Sequence, residues 1–465
     1  MNRQQRNKKR VVRKLEPYIP LSRIFRTFAY QKDAVFLDSS LESQLGRYSI
    51  IGLQPWMKIE KTQEGLRVNG ELSEQPFEED VKGFLKEHWD ENETDLPMVS
   101  GAIGYFSYEY GRKKEGIGTK HERKAQIPDA VLCFYDILIV EDLKNRQVWL
   151  IANGMISDGE EELEMLEKLC CASAGTEPDI FSGEHRNASK PVQTAQVTPN
   201  FKKSEYLHAV DEMIRYIVEG DIYIANMTQH LMIQSSRTTC EVFYRLRQQN
   251  PSPFGGYFNY GDFQIVCASP ERFLRIKNGH VETRPIKGTR RRGRTPSEDA
   301  ALRRELENSE KDKSELLMIV DLERNDLNRV CVPGSVKVTE LFTVEEYATV
   351  FHLVSNVEGD LREGLTVMDL MEAAFPGGSI TGAPKYRAME IIDELEHDQR
   401  NLYTGSMGYL TLDGDCDFNI VIRTALYQDG VYYLGVGGGI TAESELEFEY
   451  EETLQKAKAV LEALS

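Results

Sequence analysis

Cysteine is sparse, with seven in 465 residues, and none falls in CxxC spacing. Cys133, Cys170, Cys171, Cys240, Cys267, Cys331 and Cys416 are scattered and lack partnered histidines, which excludes a disulfide frame and a zinc site. They read as reduced thiols of a cytoplasmic protein. No run approaches the roughly 18 apolar residues of a membrane helix, so no membrane span is expected. The opening "MNRQQRNKKRVVRKLE" is basic but has no apolar core of a signal peptide, and residues 1–17 are expected to form a solvated basic tail. Positive charge is short overall: 56 Lys and Arg against 75 Asp and Glu leave a net charge of −19, which argues against a general nucleic-acid binder. Small anionic substrates stay open, because a few cations in a cleft can oppose the global charge. Short-period repeats are missing too, so a solenoid is not expected.

What the chain does have is 40% apolar content, enough for a large core, in two blocks of different texture. Over residues 18–170, runs such as "AVFLDSS", "GRYSIIG", "LRVNGEL", "GAIGYFSYEY", "AVLCFYDILIVED" and "QVWLIANG" carry strand character, and the acidic "DGEEELEMLEKLCCA" that follows reads as a helix. A Ser-, Thr-, Gly- and Pro-rich stretch within 171–200 reads as a linker. Residues 201–465 then mix helix and strand. "SEYLHAVDEMIRYIVEG" places Leu207, Val210, Ile214 and Ile217 at helical spacing, with Ser204 as a cap and Gly220 as the stop. "FQIVCAS" and "YYLGVGGGI" read as strands. "DKSELLMIVDLERND", "GLTVMDLMEAAF", "KYRAMEIIDELE" and "EYEETLQKAKAVLEAL" read as helices.

Several stretches in the second block could carry chemistry. "AFPGGSITGAPK" can turn backbone amides toward an anion, but lacks the spacing of a triphosphate-binding loop. "GVGGGI" resembles a dinucleotide fingerprint only superficially; close approach of its backbone to a small carboxylate is the better functional reading. Glu449 and Glu452 stand three apart on one helix face, and Glu315 lies early in another helix. Such carboxylates suit a hard cation, or they are exposed glutamates of which Glu452 pairs with Lys456. His352, in "TVFHLVSN", is either a hydrogen-bonded core residue or a catalyst. "ETRPIKGTRRRG" sets Lys287 between Ile and Gly ahead of three arginines, and by itself reads as a basic turn facing water.

Taken together, "GDIYIANMTQ", "NPSPF", "SPERF", "RPIKGTRRRG", "SELLMIVDLERNDL", "FHLVSNV", "FPGGSITGAPK", "YTGSMGY", "FNIVIRT" and "EFEYEET" follow the order found in the chorismate-utilising enzymes. That family includes the anthranilate, aminodeoxychorismate, isochorismate and salicylate synthases, and "FLDSSLESQLGRYSIIG" extends the resemblance into the N-terminal region. The resemblance implies an α+β fold of two packed antiparallel β-sheets with surrounding helices and a cleft in the C-terminal part. It implies Mg²⁺ at Glu315, Glu449 and Glu452. Tyr403 and Arg423 match residues that hold the enolpyruvyl carboxylate, while Gly288, Thr289, Ser379 and Gly439 match other substrate-lining positions. His352 matches an active-site histidine, and Glu271 in "SPERF" a general acid and base. Lys385 matches a motif without a clear role. "LDSS" with "NPSPF" is similar to the family's tryptophan pocket.

The branch is set by two positions. Members that activate water carry a lysine where Ile224 stands, and anthranilate synthases usually carry alanine where Lys287 stands. The chain therefore resembles most the aminodeoxychorismate synthase component I branch, which makes 4-amino-4-deoxychorismate for p-aminobenzoate and folate synthesis. Lys287 is then expected to attack C2 of chorismate, with ammonia following at C4. A lysine amine has an ordinary pKa of about 10.4, so burial or nearby positive charge is needed to favour its free form, and Arg290 to Arg292 either help in this or face solvent. None of the cysteines sits in a glutaminase-type nucleophile turn, and ammonia is expected from a separate glutamine amidotransferase subunit. A fused lyase domain is not expected either. The alternatives are amination at C2 with loss of pyruvate, as in anthranilate synthase component I, and a noncatalytic chorismate-binding regulatory subunit.

Overall fold

The computed structural model describes residues 9–43, 45–173, 195–347 and 350–465. Twenty-two strands among these residues join into one antiparallel hydrogen-bonded network, with eleven α-helices against it. The fold is α+β, as expected.

The strands alternate as half-buried strands must, and each set of alternate residues enters a different core. In Ala130–Asp142, Leu132 and Phe134 belong to one apolar cluster while Val131, Cys133 and Tyr135 belong to another. In Phe263–Ser269, Ile265 and Cys267 share that second cluster, whereas Val266 and Ala268 turn to a third. The shared cluster fills the space between layers of sheet. The other two are closed by helices such as Phe77–Glu87, Val367–Ala374 and Thr239–Gln249.

Three expectations change. Val11–Lys14 is not tail but a strand antiparallel to Gln147–Ala152, and Leu15 behind it is buried. Val11 packs on one apolar cluster and Val12 on another, while Arg13 pairs with Glu160 and Glu167 and Arg10 with Asp90. The basic residues thus meet the acidic surface rather than water; residues 1–8 lie outside the described part. Second, "SYEY" is helical: Ser107 accepts from the Tyr110 N–H and caps Tyr108–Lys114. Third, the helix Gly159–Ser173 runs into the expected linker, and Gln196–Pro199 already pairs with Ile224–Gln234. Most of the linker, 174–194, lies outside the described residues.

The helix Lys203–Glu219 ends on Gly220 at φ 92°, the left-handed stop its sequence announces, although Lys202 rather than Ser204 occupies the N-cap. Ile224–Gln234 pairs with Val431–Ile440 from Ala225 opposite Ile440 to Ile233 opposite Tyr432. Leu446–Leu464 packs on Val431–Ile440, and Glu310–Asn328 packs on Ile286–Arg291 and Val350–Asp360; these are the helices that carry the expected carboxylates.

Candidate active site

Lys287 lies on the strand Ile286–Arg291, paired with Val350–Asp360. The ladder slips between Lys287 and Thr289, and the residue between them is Gly288 at φ 76°. A β-bulge of this kind bends the strand and re-aims its side chains. A Cβ at Gly288 would stand 2.8 Å from Asp312 Cγ and from Leu306 Cδ1. The side of Gly288 where a Cβ would stand therefore faces the helices, and the residue contributes the bulge. The Lys287 Nζ donates to the Ser379 carbonyl at 3.1 Å. The "FPGGSITGAPK" turn thus presents a carbonyl to an amine at this point.

Gly439 lies opposite. A Cβ there would meet Lys287 Nζ at 3.2 Å, Glu315 Oε2 at 3.6 Å and Ile224 Cδ1 at 3.6 Å. Lysine and isoleucine, the two positions that set the branch, approach the same glycine. At Gly438 a Cβ would stand 2.7 Å from Glu452 Oε2 and 3.2 Å from Glu449 Oε2. Lys287, Glu315, Glu449, Glu452, Ser379 and Gly439 therefore converge on one end of the glycine-rich strand.

Glu271 is buried beneath them. Its Oε1 accepts the Ile286 N–H at 3.4 Å, next in chain to Lys287. Burial raises its pKa, against a Ser379 hydrogen bond and the Lys287 charge. A carboxyl so placed is able to keep a proton for a leaving group. Glu315 and Glu449 are likewise raised by burial, with nearby lysines pulling the other way.

His352 Nδ1 and Thr289 Oγ1 are 2.9 Å apart, as their cross-strand register requires. Burial, with Arg423 beside it, lowers the imidazole to about 4, so it is neutral at physiological pH. His352, Thr289, Arg423 and Tyr347 share a cavity with Pro251 and Ser252. Tyr403 packs face-on against Gly435, where a Cβ would reach its Cγ at 2.2 Å. Arg423 is buried enough for its pKa to fall, with Tyr403 and Glu452 pulling the other way. The expected residues thus form two adjoining groups, a lysine–carboxylate end and an arginine–tyrosine–histidine end, joined by Glu452.

One expectation is not met, and one open role is filled. Arg290 pairs with Glu305 and Asp312, Arg291 with Glu298, and Arg292 with Asp299. Their charges are spent on the following helices and do not act on Lys287. Lys385 donates to Asp326 at 2.7 Å and to the Ala374 carbonyl at 2.7 Å, which makes it a brace of the turn.

Other residues at the site escaped the sequence reading. Glu323 is buried, accepts from Thr283 Oγ1 at 3.2 Å, and has its pKa raised well above the ordinary value by burial and by Glu271. It sits eight residues after Glu315, two helical turns along the same face, a spacing that could have marked it. Arg400 is fully buried, donates to Glu396, the Ile380 carbonyl and the Asn226 carbonyl, and steadies the loop that leads into Tyr403. No sequence signal distinguishes it from a surface arginine. "LDSS" and "NPSPF" do meet: Leu37, Asp38, Ser39, Pro253 and Phe254 line one cavity with Tyr48 and Met407.

The carboxylate end suits a hard cation in two respects. Glu449 Oε2 is buried without a hydrogen-bond partner, and all the donors are oxygens. Among the described residues no three His, Cys, Asp or Glu side chains stand together as a group that could hold a metal ion, so Glu315, Glu449 and Glu452 do not make a complete ligand set by themselves.

Residues 34–462 match the family described as chorismate binding enzyme. The chain is 38% identical over 443 residues to aminodeoxychorismate synthase component 1 of Bacillus subtilis (strain 168), covering 93% of this chain and 92% of that one. It is 36% identical over 459 residues to anthranilate synthase component 1 of Acetivibrio thermocellus, covering 96% and 92%. Among solved structures, anthranilate synthase component I from Streptococcus pneumoniae TIGR4 superposes with a TM-score of 0.79 at 32% identity, covering 90% of this chain and 93% of that one. No helix among the described residues is long and apolar enough to cross a membrane.

Proposed function

Because the chain belongs to the chorismate binding enzymes, we propose that it aminates chorismate at C4, giving 4-amino-4-deoxychorismate. The observation that carries this reading is the Lys287 amine, held by the Ser379 carbonyl at 3.1 Å and aimed at Gly439 beside Glu315. In the proposed first step the Nζ–C2 bond forms, the ring double bonds shift, and the C4–O bond breaks. Glu271 gives its proton to the departing hydroxyl, which leaves as water. Ammonia then forms the C4–N bond, the double bonds shift back, and the C2–Nζ bond breaks. Hydroxide is a poor leaving group unless protonated, so a buried acid beside the lysine is what the step requires.

Arg423 and Tyr403 would hold the enolpyruvyl carboxylate, with Gly435 leaving room for the ring of Tyr403. Thr289 orients the neutral His352 at the wall. Glu315, Glu449 and Glu452 would hold Mg²⁺, which would offset the charge of the ring carboxylate. Ammonia would come from a partner glutaminase; the relative from Bacillus subtilis is itself named a component 1.

Amination at C2 with loss of pyruvate is the second reading, favoured by the 36% identity to an anthranilate synthase component 1. Lys287 weighs against it, because its side chain fills the space near Gly439. Mass spectrometry of products from chorismate, Mg²⁺ and excess ammonium separates the two. Wild type should yield aminodeoxychorismate, and Lys287→Ala should lose that product sharply. Anthranilate and pyruvate from wild type would sink the C4 reading and make Lys287 a binding residue.

A further inference from the structure

Lys311 lies at the start of the helix Glu310–Asn328, one turn before Glu315. Its Nζ is 3.6 Å from Glu449 Oε1 and 5.7 Å from the centre of the Phe448 ring. Lys456 serves Glu452 in a similar way, with Nζ 3.2 Å from Oε1 and 2.9 Å from the Gly437 carbonyl.

We propose that Lys311 is a resident counter-ion of the carboxylate site, neutralising Glu449 until a divalent cation displaces it. This rests on the reading of Glu315, Glu449 and Glu452 as the Mg²⁺ ligands. Glu449 is almost fully buried, and a buried carboxylate without a cation is costly. One of its oxygens has Ser444 Oγ at 2.7 Å and Lys311 nearby, whereas the other has no partner. The lysine therefore meets part of what the site lacks, and leaves open the oxygen that a cation would take.

Lys311 is suited to yield. Its side chain is 37% exposed, so the ammonium can swing into water. An incoming Mg²⁺ must work against this positive charge, which weakens its binding to the substrate-free protein. A substrate carboxylate adds negative charge that helps the incoming cation take the place of Lys311. Lys311 thereby makes cation binding depend on the anionic substrate, and by linkage the dependence is mutual.

The test is titration calorimetry of MgCl₂ into the full chain without chorismate, at constant ionic strength, for wild type, Lys311→Met and Lys311→Arg. Melting curves check that each variant is folded. Lys311→Met should bind Mg²⁺ about tenfold more tightly than wild type, because one close like charge is removed. Lys311→Arg should match wild type. Three results would each overturn the proposal: no tightening in Lys311→Met, the same tightening in Lys311→Arg, or no Mg²⁺ binding by any of the three proteins. No turnover is read, so a failure of the Lys287 mechanism would leave this result standing.

Discussion

At His352, burial and the Arg423 guanidinium both oppose protonation and hold the imidazole at about 4 against an ordinary 6.5. Between those values an unfolded chain takes up a proton that the native chain refuses. Stability must therefore fall as pH falls through 6.5 toward 4, and this contribution is fully present above 6.5. At pH 5 the loss from this one group is about 2 kcal/mol. Urea unfolding of wild type and His352→Gln at pH 7 and pH 5 isolates it. Wild type should lose about 2 kcal/mol more than the variant on acidification. Equal losses would mean that the ring is not held neutral. His230, lowered to about 3 by burial and Arg400, titrates in both proteins and cancels from the comparison. The histidine's place in an apolar strand was legible from its neighbours; its neutrality was not, because Arg423 lies 71 residues further along the chain.

At the scale of the element, the bulge in Ile286–Arg291 aims the lysine. Lys287 stands opposite Leu353 and Thr289 opposite His352, so the bulged strand advances two residues while its partner advances one. Gly288→Ala would demand φ 76° of a residue with a Cβ and would press that Cβ on Asp312 and Leu306. Overpacking and left-handed strain together should cost about 2–4 kcal/mol. Product formation from chorismate should fall further than the loss of folded protein explains, because Lys287 is redirected. Full activity per folded molecule, with stability lowered, would show that the bulge does not aim the amine. The sequence disclosed the helices that carry Glu315, Glu449 and Glu452, since each is a long run of good helix formers without Gly or Pro. It concealed the bulge, because Pro, Gly and three arginines in a dozen residues look like a turn in water. Those arginines are satisfied by Glu298, Asp299, Glu305 and Asp312, which only the fold brings near.

For the whole molecule, the expected division between residues 18–170 and 201–465 is crossed by the sheet itself. Gly101–Phe106 pairs with Ser406–Thr411 along six residues, and Ala34–Asp38 pairs with Phe254–Asn259. The apolar clusters cross it too: Phe106 and Phe134 share one with Phe273, Phe375 and Phe418. A change of texture along the sequence was readable, but strand pairing across more than 200 residues leaves no local signal. Neither region can expose its edge strands and shared core without cost, so the two should unfold together. Tryptophan placement makes this measurable, because Trp56, Trp89 and Trp149 all precede residue 170. Trp56 packs on Phe84 and Phe134 inside the shared cluster. Its fluorescence follows the N-terminal region, whereas far-ultraviolet circular dichroism follows helices that lie mostly beyond residue 200. In a urea titration the two signals should share one midpoint. A fluorescence transition completed at lower urea than the dichroism change would mean that the N-terminal strands detach first, and that the continuous sheet does not make the molecule one cooperative unit.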